Sequence, residues 1–379
     1  MTPASSPGRH PDPARVDALR EALSRAVGVR RGAEADPAAR LTYMEVCGTH
    51  TMAVSRYGLR DLLPAGLRLI SGPGCPVCVT AVGDLDVVVA LSRQPGVTIA
   101  TFGDLVRVPS SHSSLARERA AGADVRVVYS PADAVELAVA QPARQVVLVG
   151  IGFETTAPTV AASLTLAAER GLENLSVVSL HKTMPGALRA LLDLGETTID
   201  GFILPGHVSV VTGSDCYRFL PDEYGIGGVV AGFEADDVLE ALLMLAGQRR
   251  PAVEIGYRRA VTTEGNPAAQ RLLADVFEPC DAEWRGLGTI AESGLRLREE
   301  WAGFDALRRF AVDPGTPVEP AGCRCGEVLR GVIDPDACPL FGRRCTPETP
   351  VGACMVSSEG SCAAHYRYRT IDHGGDRGR

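Results

Sequence analysis

The sequence predicts an α/β protein with two Rossmann-like domains, each built on a parallel sheet, followed by a mostly helical or irregular C-terminal domain rich in cysteine. Short apolar runs alternate with helical stretches up to about residue 250, and six of the 11 cysteines lie in the last sixty residues. Strands that are apolar throughout and alternate with helices are typical of parallel sheets covered on both faces. We predict boundaries at 1–40, 41–140, 141–250 and 251–379, since 379 residues exceed what one core organises.

The elements follow in order. Residues 1–13 are rich in proline and serine and are predicted to be disordered, and a helix is predicted from Arg15 onwards in VDALREALSRAV. Eight apolar runs bounded by turn residues predict strands at 41–46, 67–71, 97–102, 125–130, 145–150, 175–180, 201–205 and 227–232. Helices are predicted between them, for example in TMAVSRYGLRDLL and VGDLDVVVALSRQ. The first four strands define domain 41–140 and the last four define domain 141–250.

Composition excludes several classes of partner. A net charge of -8 gives the chain no electrostatic attraction to nucleic acid or to an anionic membrane. No apolar run is long enough to span a bilayer, and the first residues lack the apolar core of a signal peptide. We therefore expect a cytoplasmic protein, in which thiols stay reduced and many cysteines indicate metal binding or thiol chemistry.

Polar or thiol motifs follow five predicted strands. In open parallel sheets, ligands bind beyond the carboxyl ends of the strands, so these motifs are predicted to meet in a cleft. They are CGTHT with Cys47 and His50, GPGCPVC with Cys75 and Cys78, GFETT with Glu154, HKTMPG with His181, and PGHVS with His207.

The CPVC pair has three interpretations that the residues leave open. Cys75 and Cys78 are half of a zinc site if Cys47 and His50 supply the other half, a redox dithiol, or ligands for a softer metal. The Gly-Pro-Gly turn before them indicates a loop shaped for close approach. Glu154 is predicted near a helix start that Thr155 and Thr156 can cap, and His207 is either structural or part of the cleft.

The last sixty residues, here called the tail, carry the most specific cysteine pattern. Cys323, Cys338, Cys345 and Cys362 are spaced C-x14-C-x6-C-x16-C, without the tight pairs that zinc sites use. Four irregularly spaced thiolates suit a 4Fe-4S cluster. The two further cysteines, Cys325 and Cys354, suit a redox pair that exchanges electrons with such a cluster.

These motifs, together with the ending GCRCGEVLRG…CPLFGRRCTPETPVGACMVSSEGSCAA, resemble the HypD family of nickel-iron hydrogenase maturation factors from about residue 41 to 368. The resemblance implies a scaffold with redox activity rather than a conventional turnover enzyme. With a small HypC-type partner, it would hold iron while carbon monoxide and cyanides from a HypE-type donor are attached. The Fe(CN)2CO unit would then pass towards a hydrogenase large subunit.

The family pattern also implies roles for individual residues. Cys47 would hold the iron, Cys75 and Cys78 would be the thiol pair of the cleft, and His50 and Glu154 would support it. The tail would carry the 4Fe-4S cluster, with Cys323 favoured over Cys325 as its first ligand. The chain departs from the family at Met52, where a second histidine is common, and at Ala81, where proline is common; neither change removes a thiol.

Two other functions compete with the scaffold. One is a ferredoxin-driven reductase, in which an iron-sulfur cluster reduces the CPVC pair and that pair reduces a protein substrate. The other is a zinc-stabilised interaction protein without redox chemistry. Iron retained beyond the cluster would favour the scaffold, because a reductase has no use for it.

Overall fold

A computed structural model describes residues 12–32, 36 and 39–369. Most of the predicted disordered lead-in therefore lies outside the described residues. Its last two residues belong to an ordered helix: Pro13 is the first helical residue, and the Asp12 carboxylate accepts a hydrogen bond from the Ala14 amide at 3.1 Å. Proline at the first helical position needs no amide partner, so the helix begins earlier than the apolar pattern indicated.

Eleven strands are described. They are β1 Leu41–Glu45, β2 Leu67–Ser71, β3 Val97–Thr101, β4 Asp124–Val127, β5 Gln145–Gly152, β6 Leu175–His181, β7 Gly201–Pro205, β8 Gly227–Ala231, β9 Val253–Ile255, β10 Phe277–Trp284 and β11 Gly288–Leu297. The first eight confirm the predicted strands to within a few residues. Two sheets are wholly parallel, with strand orders β2-β1-β7-β8-β9 and β4-β3-β5-β6.

The helices lie before, between and after these strands. They are α1 Pro13–Arg31, α2 Gly48–Arg56, α3 Leu59–Leu62, α4 Pro76–Val79, α5 Val82–Ser92, α6 Leu115–Ala120, α7 Pro131–Ala140, α8 Ala157–Glu169, α9 Met184–Leu194, α10 Gly206–Thr212, α11 Phe219–Tyr224, α12 Ala235–Gly247, α13 Pro267–Val276, α14 Ala306–Arg309, α15 Cys325–Leu329, α16 Ala353–Val356 and α17 Ser361–Arg369. Among the described helices, none is long and apolar enough to cross a membrane.

Strand pairing differs from the predicted division at residue 140. β1 and β2 pair in one sheet with β7, β8 and β9, whereas β3 and β4 pair with β5 and β6. The chain therefore begins the five-stranded sheet, completes the four-stranded sheet, and returns to the first. The eight predicted strands are recognised by the same apolar pattern, and most are largely buried, although Arg126 and Val127 of β4 are exposed. Their sequences therefore carry no information about which sheet each one joins.

The region after residue 250 contains strands that the apolar rhythm did not predict. β9 adds a short edge strand to the five-stranded sheet, and β10 and β11 form an antiparallel hairpin. In β10 only Phe277 and Trp284 are buried, at its two ends. The hairpin is half exposed and rich in acidic residues, glycine and proline, so it lacks the continuous apolar run of a buried strand.

The two sheets present their motifs at their carboxyl ends. CGTHT, GPGCPVC and PGHVS follow β1, β2 and β7, which are neighbours in the five-stranded sheet. GFETT and HKTMPG overlap or follow the ends of β5 and β6, neighbours in the four-stranded sheet. One hydrophobic cluster joins residues beside these ends with the tail, including Phe153, Trp284 and Val328.

Candidate functional site

Two backbone segments meet at Cys47. Cys47 follows β1 and precedes the first residue of α2, and the Gly48 amide donates to the Gly74 carbonyl at 2.8 Å. A Cβ at Gly74 would fall on the backbone of Val46 and Cys47, so only glycine fits there. The Gly-Pro-Gly turn thus serves the close approach of the CPVC loop to the CGTHT loop.

Cys47 is a buried thiol among carboxyl groups. Its pKa is raised to about 12, first by burial and then by the charges of Glu359 and Glu45. Glu359 belongs to the tail, and its carboxylate accepts a hydrogen bond from the Thr49 hydroxyl at 2.8 Å. A Cβ at Gly48 would lie 2.6 Å from the Glu359 Cβ, so the tail packs directly on the CGTHT loop.

Glu45 supports this loop from inside the protein. Its carboxylate is fully buried and accepts hydrogen bonds from the Thr51 hydroxyl at 2.6 Å and from the Cys47 amide at 3.2 Å. Burial raises the pKa of Glu45 to about 7, although these hydrogen bonds oppose the shift. The sequence patterns did not identify Glu45, because it reads as the last polar residue of a strand.

The two predicted histidines lie on either side of an aromatic ring, Phe233. His50 is fully buried, its Nε2 lies 2.9 Å from the Gly232 carbonyl oxygen, and its Nδ1 has no hydrogen-bond partner among the described residues. Phe233 packs against His50 at 5.0 Å and stacks with the exposed His207 at 4.0 Å between ring centroids. Burial lowers the pKa of His50 to about 4, so the ring is neutral.

Cys75 and Cys78 form a disulfide at the start of α4. Both residues are buried, and α4 contacts α16 of the tail. Arg285, at the turn of the β10–β11 hairpin, donates from its backbone amide to the Val79 carbonyl at 2.8 Å and from Nε to the Thr80 carbonyl at 3.1 Å. The CPVC segment is thus held between the tail and the hairpin.

All six tail cysteines line one small cavity. They are Cys323, Cys325, Cys338, Cys345, Cys354 and Cys362. The Sγ atoms of Cys325 and Cys354 lie 2.6 Å apart. Hydrogen bonds from the Cys323 and Cys354 thiols lower the pKa of Cys325, whereas the bond to Cys325 raises the pKa of Cys354. Cys325 and Cys354, predicted as a redox pair, are therefore neighbours in the same cavity as the four predicted cluster ligands.

The tail residues suit an iron-sulfur cluster by their chemistry. Four to six thiols converge on one cavity among apolar side chains, and Gly352 leaves space there, because a Cβ at this position would lie 2.6 Å from the Cys323 Sγ. Within the described part of the chain, no group of three or more Cys, His, Asp or Glu residues is arranged to hold a metal ion. The thiols thus surround one cavity, and their side chains would have to reorient to bind a cluster.

Glu154 lies at the carboxyl end of the other sheet. Its Oε1 accepts a hydrogen bond from the Met184 amide at 2.9 Å, and its buried Oε2 has no hydrogen-bond partner in the described part of the chain. Burial raises the pKa of Glu154 to about 7. The predicted capping by threonine differs in detail: Thr156 precedes α8, but its hydroxyl bonds to the Phe153 carbonyl at 3.2 Å rather than to a helix amide.

The structure brings several predicted residues together. Cys47, Cys75 and Cys78 lie on adjoining segments, and His50 and His207 flank Phe233. Glu154 follows β5, and its neighbour Phe153 shares a hydrophobic cluster with Cys75 and Cys78. Residues that the motifs missed are Glu45, Phe233, Arg285 and Glu359. Of these, Glu359 offered a signal, because it lies between two tail cysteines in SSEG.

Comparisons with known proteins agree with the resemblance in the sequence. The model of the HypD family, described as "Hydrogenase formation hypA family", matches residues 24–369. "Hydrogenase maturation factor HypD" of Rhizobium leguminosarum bv. viciae is 50% identical over 366 residues, which cover 93% of this chain and 95% of that protein. The proteins of the same name from Azotobacter vinelandii (49% identity, 93% and 96% covered) and Escherichia coli K12 (48%, 87% and 89%) are similar to it as well.

Proposed function

The chain belongs to the HypD family, and from this premise we propose that it acts in hydrogenase maturation as the scaffold on which the Fe(CN)2CO unit is assembled. The observation that carries the proposal is the convergence of six tail cysteines on one cavity, beside a core that also contains Cys75 and Cys78. A zinc-stabilised interaction protein would not need a separate disulfide next to this thiol-lined cavity.

In this proposal, Cys47 holds the iron as cargo. Low-spin iron that carries cyanide and carbonyl is a soft centre, and thiolate is a suitable protein ligand for it. The buried Cys47 keeps its proton in the absence of metal, since its pKa is raised to about 12. Iron binding would displace this proton, and the carboxyls of Glu359 and Glu45, whose charges act on the thiol, are the groups that could accept it.

The tail would hold a 4Fe-4S cluster through Cys323, Cys338, Cys345 and Cys362. Such a cluster supplies single electrons, received in this case from a ferredoxin-type donor. Cys325 and Cys354 would act as the thiol pair next to it, which is supported by their Sγ separation of 2.6 Å.

The two thiol pairs would exchange electrons by disulfide exchange. A thiolate of the tail pair attacks the Cys75–Cys78 disulfide, and the second tail thiol resolves the mixed disulfide. The Cys75–Cys78 bond breaks and a Cys325–Cys354 bond forms, so two electrons move to the CPVC pair. Contact between α4 and α16 supports this route, because it brings the two segments together.

Partners follow from the family. A small HypC-type protein would share the iron at Cys47, and a HypE-type protein would deliver cyanide, with the hydrogenase large subunit receiving the product indirectly. Cys47 is 8% exposed, which suits a ligand reached through a narrow opening that a small partner completes.

The test is an infrared spectrum of the protein, purified anaerobically together with its HypC-type partner from cells that make the other maturation proteins. Two bands from metal-bound cyanide and one from carbonyl are expected in the window free of protein absorption. Iron analysis should exceed the cluster's content by one iron per complex.

A sample that keeps its cluster but lacks all three bands and the extra iron would contradict the scaffold. The ferredoxin-driven thiol reductase would then remain. It would be recognised by cluster-dependent reduction of the Cys75–Cys78 disulfide without retained iron.

A further inference from the structure

A further cavity, distinct from the thiol-lined one, contains several charged and polar side chains. It has a volume of about 220 Å³ and is bounded by β2, the edge strand of the five-stranded sheet, and by the tail segments around residues 328–335 and 361–365. We propose that this cavity binds a compact tetrahedral oxyanion, of which inorganic phosphate is the simplest example. The inference does not depend on the proposed function.

The charged residues of the cavity are mainly positive. Arg40, Arg60 and Arg68 line it, with Asp334 as the one carboxylate among the described residues that do so. Three positive charges therefore oppose one negative charge, in a chain whose net charge is -8. Guanidinium groups bind phosphate through paired N–H donors, so three of them around one cavity favour an anion.

A larger hollow provides a contrast. It measures about 620 Å³ and contains Asp215, Asp222 and Glu254 together with Arg218 and Arg258. Acids outnumber bases there, so that hollow gives no preference for an anion. The positive excess of the β2 cavity is therefore not shared by this larger hollow.

Arg60 shows that this cavity is built into the fold. Its Nε donates to the Leu69 carbonyl at 3.2 Å and its Nη2 donates to the Ser71 hydroxyl at 2.9 Å. These bonds satisfy part of the open edge of β2 and fix the guanidinium against the cavity wall. Ser71 also lines the cavity, and its hydroxyl, which accepts from Arg60 and interacts with the buried Glu45 carboxylate, helps to hold the Arg60 guanidinium in place.

Arg68 can exchange its present partner for a ligand. It pairs with Asp334 at 3.1 Å, and both side chains are about half exposed. Such exposed pairs contribute little to stability, so a dianion can displace the carboxylate at low cost. Arg40 is exposed at the rim and forms no ion pair with any described residue.

The volume of the cavity limits the size of the ligand. Cavities that hold drug-sized molecules measure about 300–1,000 Å³, so 220 Å³ suits a smaller molecule. His365 and Ser361 from α17 add polar groups on the side opposite β2. An occupant would therefore contact both the strand that leads to the CPVC loop and the helix that contains Cys362.

The test is isothermal titration of the anaerobic full-length protein with sodium phosphate, with ionic strength held constant by chloride. One anion should bind per chain. Arg68→Gln and Arg40→Gln should each raise the Kd about tenfold, since each removes a charge-assisted contact. Asp334→Asn should lower the Kd, because it removes the carboxylate that competes for Arg68.

The matched control is Arg170→Gln, which breaks an ion pair of similar exposure between Arg170, at the end of α8, and Glu136 of α7. It should leave the Kd unchanged. Glycerol 3-phosphate is titrated in parallel: tighter binding than phosphate identifies an ester as the natural ligand, and weaker binding identifies the free ion. Absence of binding by both, or equal loss in Arg170→Gln and Arg68→Gln, would overturn the proposal.

Discussion

Cys47 and the tail cysteines are placed in opposite chemical surroundings. Cys47 is a free thiol in no disulfide, and the groups whose charges act on it are the carboxyls of Glu359 and Glu45. The tail cysteines instead surround one another, and the Cys325 and Cys354 sulfurs lie 2.6 Å apart. The surroundings of Cys47 protect its thiol from disulfide exchange. The tail cysteines, in contrast, are close enough for their thiols to exchange with one another.

This difference assigns different chemistry to the two regions. A thiol without a sulfur partner stays available for a metal when neighbouring cysteines are oxidised, and nearby carboxyl groups oppose its premature ionisation. Crowded thiols can share protons and electrons. The disulfide at Cys75 and Cys78 lies between the two regions, because Gly74 contacts the CGTHT loop and α4 contacts α16.

The largest effect is expected from Cys47→Ala. This change should abolish hydrogenase maturation and remove the cyanide and carbonyl bands, while the visible absorption of the tail cluster remains. The physical reason is that no other thiol occupies the CGTHT loop. Cys280→Ala is the control, because Cys280 is a half-buried cysteine of the hairpin; loss of the cluster in Cys47→Ala would show that the regions are not separable.

Cys338→Ala tests the second region of this comparison, the tail cysteines. It should remove the visible absorption and the cluster iron, since one of four proposed ligands is lost. Cys354→Ala serves as the matched variant, because Cys354 lines the same cavity but is not one of those ligands. It should keep the absorption and lose reduction of the Cys75–Cys78 disulfide; equal loss of iron in both variants would contradict the assignment of roles.

The strands and the motif positions could be predicted from the sequence because both depend on local patterns. All eight predicted strands are present, and the five motifs lie at strand ends. The division of strands between sheets could not be predicted, since β1 pairs with β7, a strand more than a hundred residues later. Such pairing depends on tertiary packing, which apolar runs of one type do not encode.

In the candidate site, too, contacts between distant residues could not be predicted from the sequence. Cysteine spacing predicted the tail group, yet the contact of Glu359 with the CGTHT loop joins residues 310 positions apart and left no spacing signal. Likewise, Cys47 and His50 are three residues apart in sequence, but His50 bonds to the Gly232 carbonyl and packs on Phe233. A helix turn fixes neighbours along the chain, and packing decides where each side chain points.

A smaller effect is expected from pH, at the sheet end that lacks a cysteine motif. Burial raises the pKa of Glu154 from 4.5 to about 7, so its contribution to stability is complete below about pH 4.5 and is lost as pH rises through 7. The loss amounts to about 3 kcal/mol by linkage. Urea unfolding at about pH 5 and about pH 8 should show this decrease, and Glu154→Gln should reduce the pH dependence of stability by about this amount. The part that remains includes the contribution of the buried Glu45, whose pKa is also raised to about 7.

The same experiment bears on the comparison of regions. The visible absorption of the tail cluster should not follow the Glu154 transition, because the Glu154 carboxylate bonds to the Met184 amide and not to the tail. A Glu154→Gln variant with the wild-type pH dependence of stability would refute the role of this carboxyl.

The smallest effect is expected from Gly74→Ala, which sharpens the comparison by disturbing Cys47 alone. The added Cβ would meet the backbone of Val46 and Cys47, so we expect a loss of about 2 kcal/mol in the free energy of unfolding. The iron site should be impaired while the tail cluster is retained. Gly28→Ala is the matched control: Gly28 lies in α1 with open space around it, so alanine there should stabilise by about 0.5–1 kcal/mol. If both variants behaved alike, the close approach of the two loops would not position Cys47, and its isolation from the tail would need another cause.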